Sequence, residues 1–418
     1  MNVLVKPSPL KGTVHLIGSK SLSHRYLIGA ALSDQPSILR HRMQSDDIQA
    51  TEDILKAFGV RIQEDKVEGP LKHSPKHTLN AQASGSTLRF LIPLALLFDE
   101  PITFIGKDRL PSRSLEAYKK VCQTHHLTFK PKGKDTWLPL TVEGPLKAGH
   151  YEMDGSVSSQ FISGMLFVLP LLDKDSTITL TTPLVSKPYV DMTIRVLEAF
   201  NIHIKTTKNG YVIPGQQRYQ AVDTTIESDY SHSVFFLAAG AWSGPLTLQG
   251  LNPVSWQGDA VVRDLIQSMS GTFTQDKQSL TIQAQTLDPL DADFEDCPDL
   301  VPMMALLAAR ANGTSHLRGL SRLVHKESDR LHAVQTILDG LDVPHELKGD
   351  TLIIQGVKSL RAKGPLPTFD DHRLVMATLM LAPVMSEPYI IEGVESVTKS
   401  YPEFLDVFTS LGGVYEVL

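Results

Sequence analysis

Cysteine is scarce in this chain. The two present, Cys122 and Cys297, lie far apart with no C-x-x-C pair, which excludes a disulfide framework or a cysteine-based zinc site and fits a reducing compartment. Long apolar runs are missing too. The longest, residues 90–98 and 374–385, each contain a proline and fall short of the roughly 20 residues a membrane-spanning helix needs, so they read as buried helices. No basic excess exists: Lys plus Arg number 40 against 46 Asp plus Glu. That balance argues against nucleic acid as a partner, because nonspecific binding needs a broad basic surface. Any basic site must be local. The stretch Met1–Lys6 carries no leader or transit pattern, so a cytoplasmic location with no membrane partner is expected. G-x-G-x-x-G after a strand, a G-x-S-x-G elbow and the G-x-x-x-x-G-K-[ST] spacing are all absent, which removes the common dinucleotide, hydrolase and nucleoside-triphosphate sites.

What the chain does have is repetition. Six small or polar clusters, each opening an apolar helix, recur at intervals of about 70 residues: Ser19-Lys20-Ser21, Ser84-Gly85-Ser86, Ser158-Ser159-Gln160, Ser231-His232-Ser233, Pro298-Asp299 and Asp371-His372. After five of them come short β-rich segments, such as residues 102–105, 177–180 and 246–248, then a second amphipathic helix ending in Gly or Asn, as at 54–59 and 196–201. Alternating strands and helices define an α/β (α+β) chain of repeated modules. At 418 residues it exceeds one ordinary core, so two domains of about three modules each are expected. Helices that start alike and face inward would bring their N-termini, with unpaired N–H groups and partial positive charge, toward a shared region that attracts anions.

Cations gather at those helix starts and in the loops after the strands: Lys20, Arg25, Arg89, Arg113, Lys326, Arg330, Arg373 and Lys399. One such residue would be an ordinary solvated charge. Eight at such positions suit substrates carrying phosphate and carboxylate groups, which Arg binds with a two-pronged fork. Two carboxylates stand among them. Asp299 opens a helix, where the plain role is an N-cap, and Glu327 is flanked by Lys326 and Arg330, where the plain role is a salt bridge. Acid–base chemistry needs titratable groups near a bound substrate, and these two are the best placed. Asp370-Asp371-His372 and His125-His126 lack a second ligand set, so they read as caps or surface residues and no metal is expected. Cys122 falls in step with Leu115, Tyr118 and Val121 on one helical face and reads as core.

The strings Gly18-Ser-Lys-Ser-Leu-Ser-His-Arg25, Ser84-Gly-Ser-Thr-Leu-Arg89, Gly155-Ser-Val-Ser-Ser-Gln160, Ser186-Lys-Pro-Tyr189, Lys326-Glu-Ser-Asp-Arg330, Asp371-His-Arg373 and Thr398-Lys399, in this order and spacing, resemble the enolpyruvyl transferase family. Within it, the chain is similar to the branch that acts on shikimate 3-phosphate, over essentially its whole length. The resemblance implies a two-domain inside-out barrel of six βαβαββ repeats, three per domain. Residues 1–18 and 228–418 would form a discontinuous lobe, 19–227 an inserted lobe, and the active site would lie in the interdomain cleft. It implies transfer of the enolpyruvyl group of phosphoenolpyruvate to the 5-hydroxyl of shikimate 3-phosphate, with release of phosphate and no cofactor. A monomer acting on small molecules is expected.

Residue by residue, the resemblance implies that Lys20, Gly85, Arg113, Gln160, Arg330, Arg373 and Lys399 meet phosphoenolpyruvate. Lys20, Ser21, Arg25, Ser158, Ser159, Gln160, Ser186, Tyr189, Asp299 and Lys326 would meet shikimate 3-phosphate. Asp299 would accept the 5-hydroxyl proton, Glu327 would protonate the methylene carbon, and Lys20 would join them as a catalytic cation; Arg89 would be structural. Four positions depart from the family pattern: Ile17 for Pro, Ala83 for Asn, Ser86 for Thr and Val324 for a basic residue. Arg322, two residues before Val324, is expected to share a strand face with it and restore the charge toward shikimate 3-phosphate. The other branch of the superfamily, acting on UDP-N-acetylglucosamine, carries a Cys in a loop of the inserted lobe; residues 104–113 have none.

Overall fold

A computed structural model of the chain describes residues 1–75, 78–276 and 279–418. The chain divides into two compact units, Met1–Ile17 with Glu227–Leu418, and Gly18–Ile226.

The unit Gly18–Ile226 holds α1 (Lys20–Leu32), α2 (Asp46–Ala57), α3 (Gly85–Ala95), α4 (Glu116–Thr124), α5 (Ser159–Val168) and α6 (Lys187–Ala199). Among the described residues its three sheets share one strand pattern. In the sheet of His150–Met153, Ser176–Leu180, Gly210–Ile213 and Lys205–Thr207, the first pair is parallel and the other two are antiparallel. The sheets built on Ser37–Arg40 and Ile102–Ile105 repeat that order. The strand parallel to Ser37–Arg40 is Asp223–Thr225, at the far end of the unit's sequence, so the last strand of the segment closes its first sheet. Nearly every residue of α3 and α5 is buried, the signature of helices that are apolar on all sides and sit in a core. They pack together closely enough that a Cβ on Gly164 would lie 2.3 Å from the Tyr118 hydroxyl and 2.7 Å from the Arg89 carbonyl oxygen. Cys122 is fully buried beside Tyr118 and Val121 on α4, as its spacing requires.

The other unit holds α7 (Tyr230–Ser243), α8 (Val262–Ser268), α9 (Val301–Ala308), α10 (Arg330–Gly340), α11 (His372–Leu379) and α12 (Phe404–Ser410). Its sheets on Leu246–Gln249 and Thr314–Arg318 repeat the same order. The third has three strands, Tyr389–Ile391, Val3–Lys6 and Val414–Val417, and its parallel neighbour is reduced to the bridge Leu366 to Ile391. The first seventeen residues belong here because Val3–Lys6 completes this last sheet while Gly12–His15 runs parallel to Leu246–Gln249. Helix α9 packs against α7 and α11, all three apolar and almost wholly buried. No helix among the described residues is long and apolar enough to cross a membrane.

One local expectation fails. Residues Ser321–His325 form a 3₁₀ turn, not a strand. Residues two apart then point about 120° away from each other, so Arg322 and Val324 share no face. Val324 packs on the apolar core, while the charge of Arg322 is felt at Lys326.

Candidate functional site

Each unit presents a cluster at its helix starts. In the unit Gly18–Ile226 the helices α1, α3 and α5 follow Ser19, Ser84 and Ser158, and the last two accept from Thr87 N and Gln160 N. Serine caps a helix without adding charge, which leaves the positive end of the dipole uncompensated. Ser158, Ser159 and Ser186 are buried, and Ser186 adopts the left-handed conformation, φ 50°, just before α6. Arg25 is buried; its Nε donates to Thr193 Oγ1 (2.8 Å), Nη1 to the Ser21 carbonyl (2.7 Å) and Nη2 to the Tyr189 carbonyl (3.0 Å). Desolvation pulls its pKa down to about 10, still charged at neutral pH. Those bonds tie α1 to α6 and fix Ser21 and Tyr189 beside one guanidinium. Gln160 is oriented at both ends of its amide, donating to Ser86 Oγ (2.8 Å) and accepting from Arg89 Nη1 (2.9 Å). Ser86, a departure from the family pattern, therefore still supplies the hydroxyl that aims Gln160. The Arg113 guanidinium lies against Gly85, where a Cβ would be 2.6 Å from Nη1. Lys20 Nζ is 3.0 Å from Asp47 Oδ2. Nothing in the sequence marks Asp47, which lies in the first turn of α2, because Ser45-Asp46-Asp47 looks like ordinary capping.

In the other unit Asp229, Asp329 and Asp371 cap α7, α10 and α11. Asp299 is not a cap: Cys297 and Leu300 hold the cap positions around it, in a 3₁₀ turn leading into α9. Its carboxylate instead takes three cations, with Oδ1 3.2 Å from Lys326 Nζ and 2.7 Å from Arg330 Nη1, and Oδ2 2.9 Å from Arg373 Nη2. Arg330 opens α10 and is 1% exposed. It also pairs with Glu327 Oε2 through Nη2 (2.7 Å) and with Asp371 Oδ2 through Nε (2.7 Å). Burial opposes its charge, but Asp371, Glu327 and Asp299 outweigh that and hold its pKa above the usual range. Asp371 accepts from the Arg373 backbone N–H (2.9 Å) and from Ser328 Oγ (3.0 Å), so it fixes both arginines. Burial pulls the Lys326 ammonium below its usual pKa, against the pull of Asp299. Behind this cluster Asp259, 1% exposed, accepts from Ser231 Oγ. Burial and the charge of Asp299 push its carboxyl up to about 6. Asp259 carries no motif, so no signal in the sequence reveals it. Lys399 ends a 3₁₀ turn, Val394–Lys399, and donates to the Asp370 carbonyl (3.2 Å). Within this unit Asp299, Lys326, Glu327, Arg330 and Arg373 form one ion network, with Arg322 beside Lys326 and Lys399 joined through the segment that precedes α11. His125 ends α4 and stacks on Tyr151, ring centroids 4.2 Å apart.

A chemistry of anions is what these two clusters support: neutral caps and guanidiniums in one unit, and a network of carboxylates and cations in the other. Residues 4–408 match the family model described as EPSP synthase (3-phosphoshikimate 1-carboxyvinyltransferase). The chain is 39% identical to the 3-phosphoshikimate 1-carboxyvinyltransferase of Clostridium kluyveri, covering 98% of this chain and 97% of that one. It is 38% identical to that of Clostridium beijerinckii, covering 99% and 98%. Among solved structures, an EPSP synthase from Acinetobacter baumannii superposes with a TM-score of 0.82 at 23% identity, covering 99% of both chains. The enolpyruvyl transferase NikO from Streptomyces tendae gives 0.78 at 16% identity, covering 99% and 98%; at such identities these two likenesses speak for the fold, a mixed arrangement of helices and sheets. The family match over nearly the whole length, with the two relatives, shows that this chain belongs to the EPSP synthase (3-phosphoshikimate 1-carboxyvinyltransferase) family.

Proposed function

We propose that the chain carries out its family's reaction, transfer of the enolpyruvyl group of phosphoenolpyruvate to the 5-hydroxyl of shikimate 3-phosphate, with the residues of the two clusters acting on one pair of substrates. Such a reaction is a step of chorismate and aromatic amino acid biosynthesis. The observation that carries this reading is the placing of Asp299 and Glu327 against one buried guanidinium, Arg330, at 2.7 Å each. The fold reading is an inside-out barrel of six repeats, in keeping with the recurring parallel, antiparallel, antiparallel strand order.

Addition to the enol phosphate requires a proton delivered to the methylene carbon, because only then is the neighbouring carbon electrophilic enough for a hydroxyl to attack. Glu327 donates that proton, the 5-oxygen bonds to C2, and Asp299 takes the hydroxyl proton. Collapse of the tetrahedral intermediate breaks the C2–O bond to phosphate, which leaves with the bonding pair and takes the proton held by Asp299, while a methyl proton returns to Glu327. Arg330 links binding to this chemistry. When the carboxylate of phosphoenolpyruvate engages Arg330, it competes with Glu327 for that cation, which shifts Glu327 toward the protonated carboxyl that proton donation needs. Lys20, Arg113, Gln160, Arg373 and Lys399 hold phosphoenolpyruvate, with Gly85 leaving room. Ser21, Arg25, Ser158, Ser159, Ser186, Tyr189, Arg322 and Lys326 hold shikimate 3-phosphate, and Lys20 also supports the developing charge. The serine caps suit a phosphate because they add no negative charge of their own.

The UDP-N-acetylglucosamine branch uses a loop cysteine, whereas Cys122 is buried and desolvation pushes its thiol up to about 12. Phosphate release measured with both substrates, and with each omitted in turn, tests the assignment. Release that depends on both supports it, and release without shikimate 3-phosphate, or none at all, overturns it.

A further inference from the structure

Lys399 ends a 3₁₀ turn of six residues, Val394–Lys399. Such turns rarely run past three or four residues, because their hydrogen bonds are poorly aligned. A lysine on that stem needs an outside anchor to present its ammonium at a fixed place. The next two residues, Ser400 and Tyr401, are both fully buried, and both meet the same side chain. His232, in the first turn of α7 and 1% exposed, has Nε2 3.4 Å from Ser400 Oγ. Its ring stands edge-on to Tyr401 with centroids 5.2 Å apart. On its other side Nδ1 lies 3.4 Å from Asp229 Oδ1, the cap oxygen that also accepts from the His232 backbone N–H at 3.0 Å. A capping carboxylate thus sets the imidazole, and the imidazole sets the residue after Lys399.

We infer that His232 is a positioning residue for Lys399, fixing the end of the 3₁₀ turn through Ser400 and Tyr401 so that the ammonium meets phosphoenolpyruvate. This rests on the assignment of Lys399 to that substrate. The geometry is chemically economical. A buried imidazole is rigid, offers a nitrogen to a hydroxyl and a ring edge to an aromatic face, and so fixes two successive residues at once. An ångström of drift in such a group is enough to weaken a reaction strongly.

Steady-state kinetics on Lys399→Ala, His232→Ala, His232→Gln and Ser400→Ala, varying each substrate at saturation of the other, tests the inference. Lys399→Ala is expected to raise the KM for phosphoenolpyruvate; no change there removes Lys399 from that substrate, and the inference with it. Given that effect, His232→Ala and Ser400→Ala are each expected to raise the same KM about fivefold, the worth of one net hydrogen bond. The KM for shikimate 3-phosphate should stay within about twofold of wild type. His232→Gln, which keeps a nitrogen facing Ser400, should recover much of the loss. If His232→Ala fails to fold, Ser400→Ala decides. Wild-type KM for phosphoenolpyruvate in the variants that fold overturns the inference, as does an equal rise for both substrates, which would mark a general loss of structure.

Discussion

Asp299 faces Lys326, Arg330 and Arg373, and Glu327 pairs with Arg330. Asp299→Asn and Glu327→Gln keep shape and remove the charge or proton that the proposed mechanism uses, so each should lower kcat by about 10²-fold or more. Wild-type kcat in either variant removes that residue from the mechanism. Asp259 predicts a pH effect on stability. Its carboxyl rises from 3.8 to about 6 on folding, first through burial and then through the charge of Asp299, with Asp229 acting the same way and Arg373 and Ser231 opposing. The folded chain therefore binds more protons than the unfolded chain between those values, so this group's contribution to stability is fully present below pH 3.8 and is lost as pH rises through about 6. Denaturation of Asp259→Asn should show a shallower fall of stability across that window than wild type. Parallel profiles would mean that Asp259 does not titrate there. None of this is written in the sequence, where Asp259 stands in an unremarked Gln-Gly-Asp string; its role comes from neighbours at positions 231, 299 and 373 that the fold supplies.

At the scale of elements, the helices and strands are legible because their apolar spacing is strict, while the short turns are not. The 3₁₀ turn at Ser321–His325 has too few residues to show a period, so its sequence suggests a strand. Its geometry alters what a substitution can do. Val324 packs on the apolar core, so arginine placed there points away from Lys326 and should not stand in for the Arg322 guanidinium. Calorimetry of Arg322→Ala should show shikimate 3-phosphate bound about tenfold or more weakly, if Arg322 meets it through a charge-assisted hydrogen bond. Adding Val324→Arg should leave that deficit in place, and recovery of wild-type affinity would refute this geometry. The packing of α3 on α5 supplies another test. A methyl group on Gly164 would meet the Tyr118 hydroxyl and the Arg89 carbonyl oxygen at 2.3 and 2.7 Å, and the backbone carbonyl cannot move without α3. Gly164→Ala should cost about 1–3 kcal/mol, seen as a thermal midpoint lower by several degrees. An unchanged midpoint would mean that the helices separate freely.

On the scale of the whole molecule, the cations proposed to hold the substrates come from both units: Lys20, Arg25 and Arg113 from one, and Lys326, Arg330, Arg373 and Lys399 from the other. If one substrate pair is engaged by both sets, as the proposed function has it, ligand favours the state in which both can reach it. Small-angle scattering should therefore give a smaller radius of gyration with shikimate 3-phosphate and an inert phosphoenolpyruvate mimic than without ligand. Identical curves at saturation shown by calorimetry would refute this.

The sequence by itself determined the modular α/β character and the buried helices, because these follow from periodicity, and its motifs supplied the residues proposed for the site. The expected lobes, 1–18 with 228–418 and 19–227, come from family resemblance and not from any local pattern. Tertiary structure alone decided which strand completes which sheet: Val3–Lys6 joins Tyr389–Ile391, and Asp223–Thr225 joins Ser37–Arg40, across hundreds of residues. It alone made Asp371 the partner of Arg330, Asp47 that of Lys20, and His232 a neighbour of Ser400. Pairings between residues so distant along the chain leave no local period, because hydrogen bonds and ion pairs depend on separation in space, and only the packed helices set that.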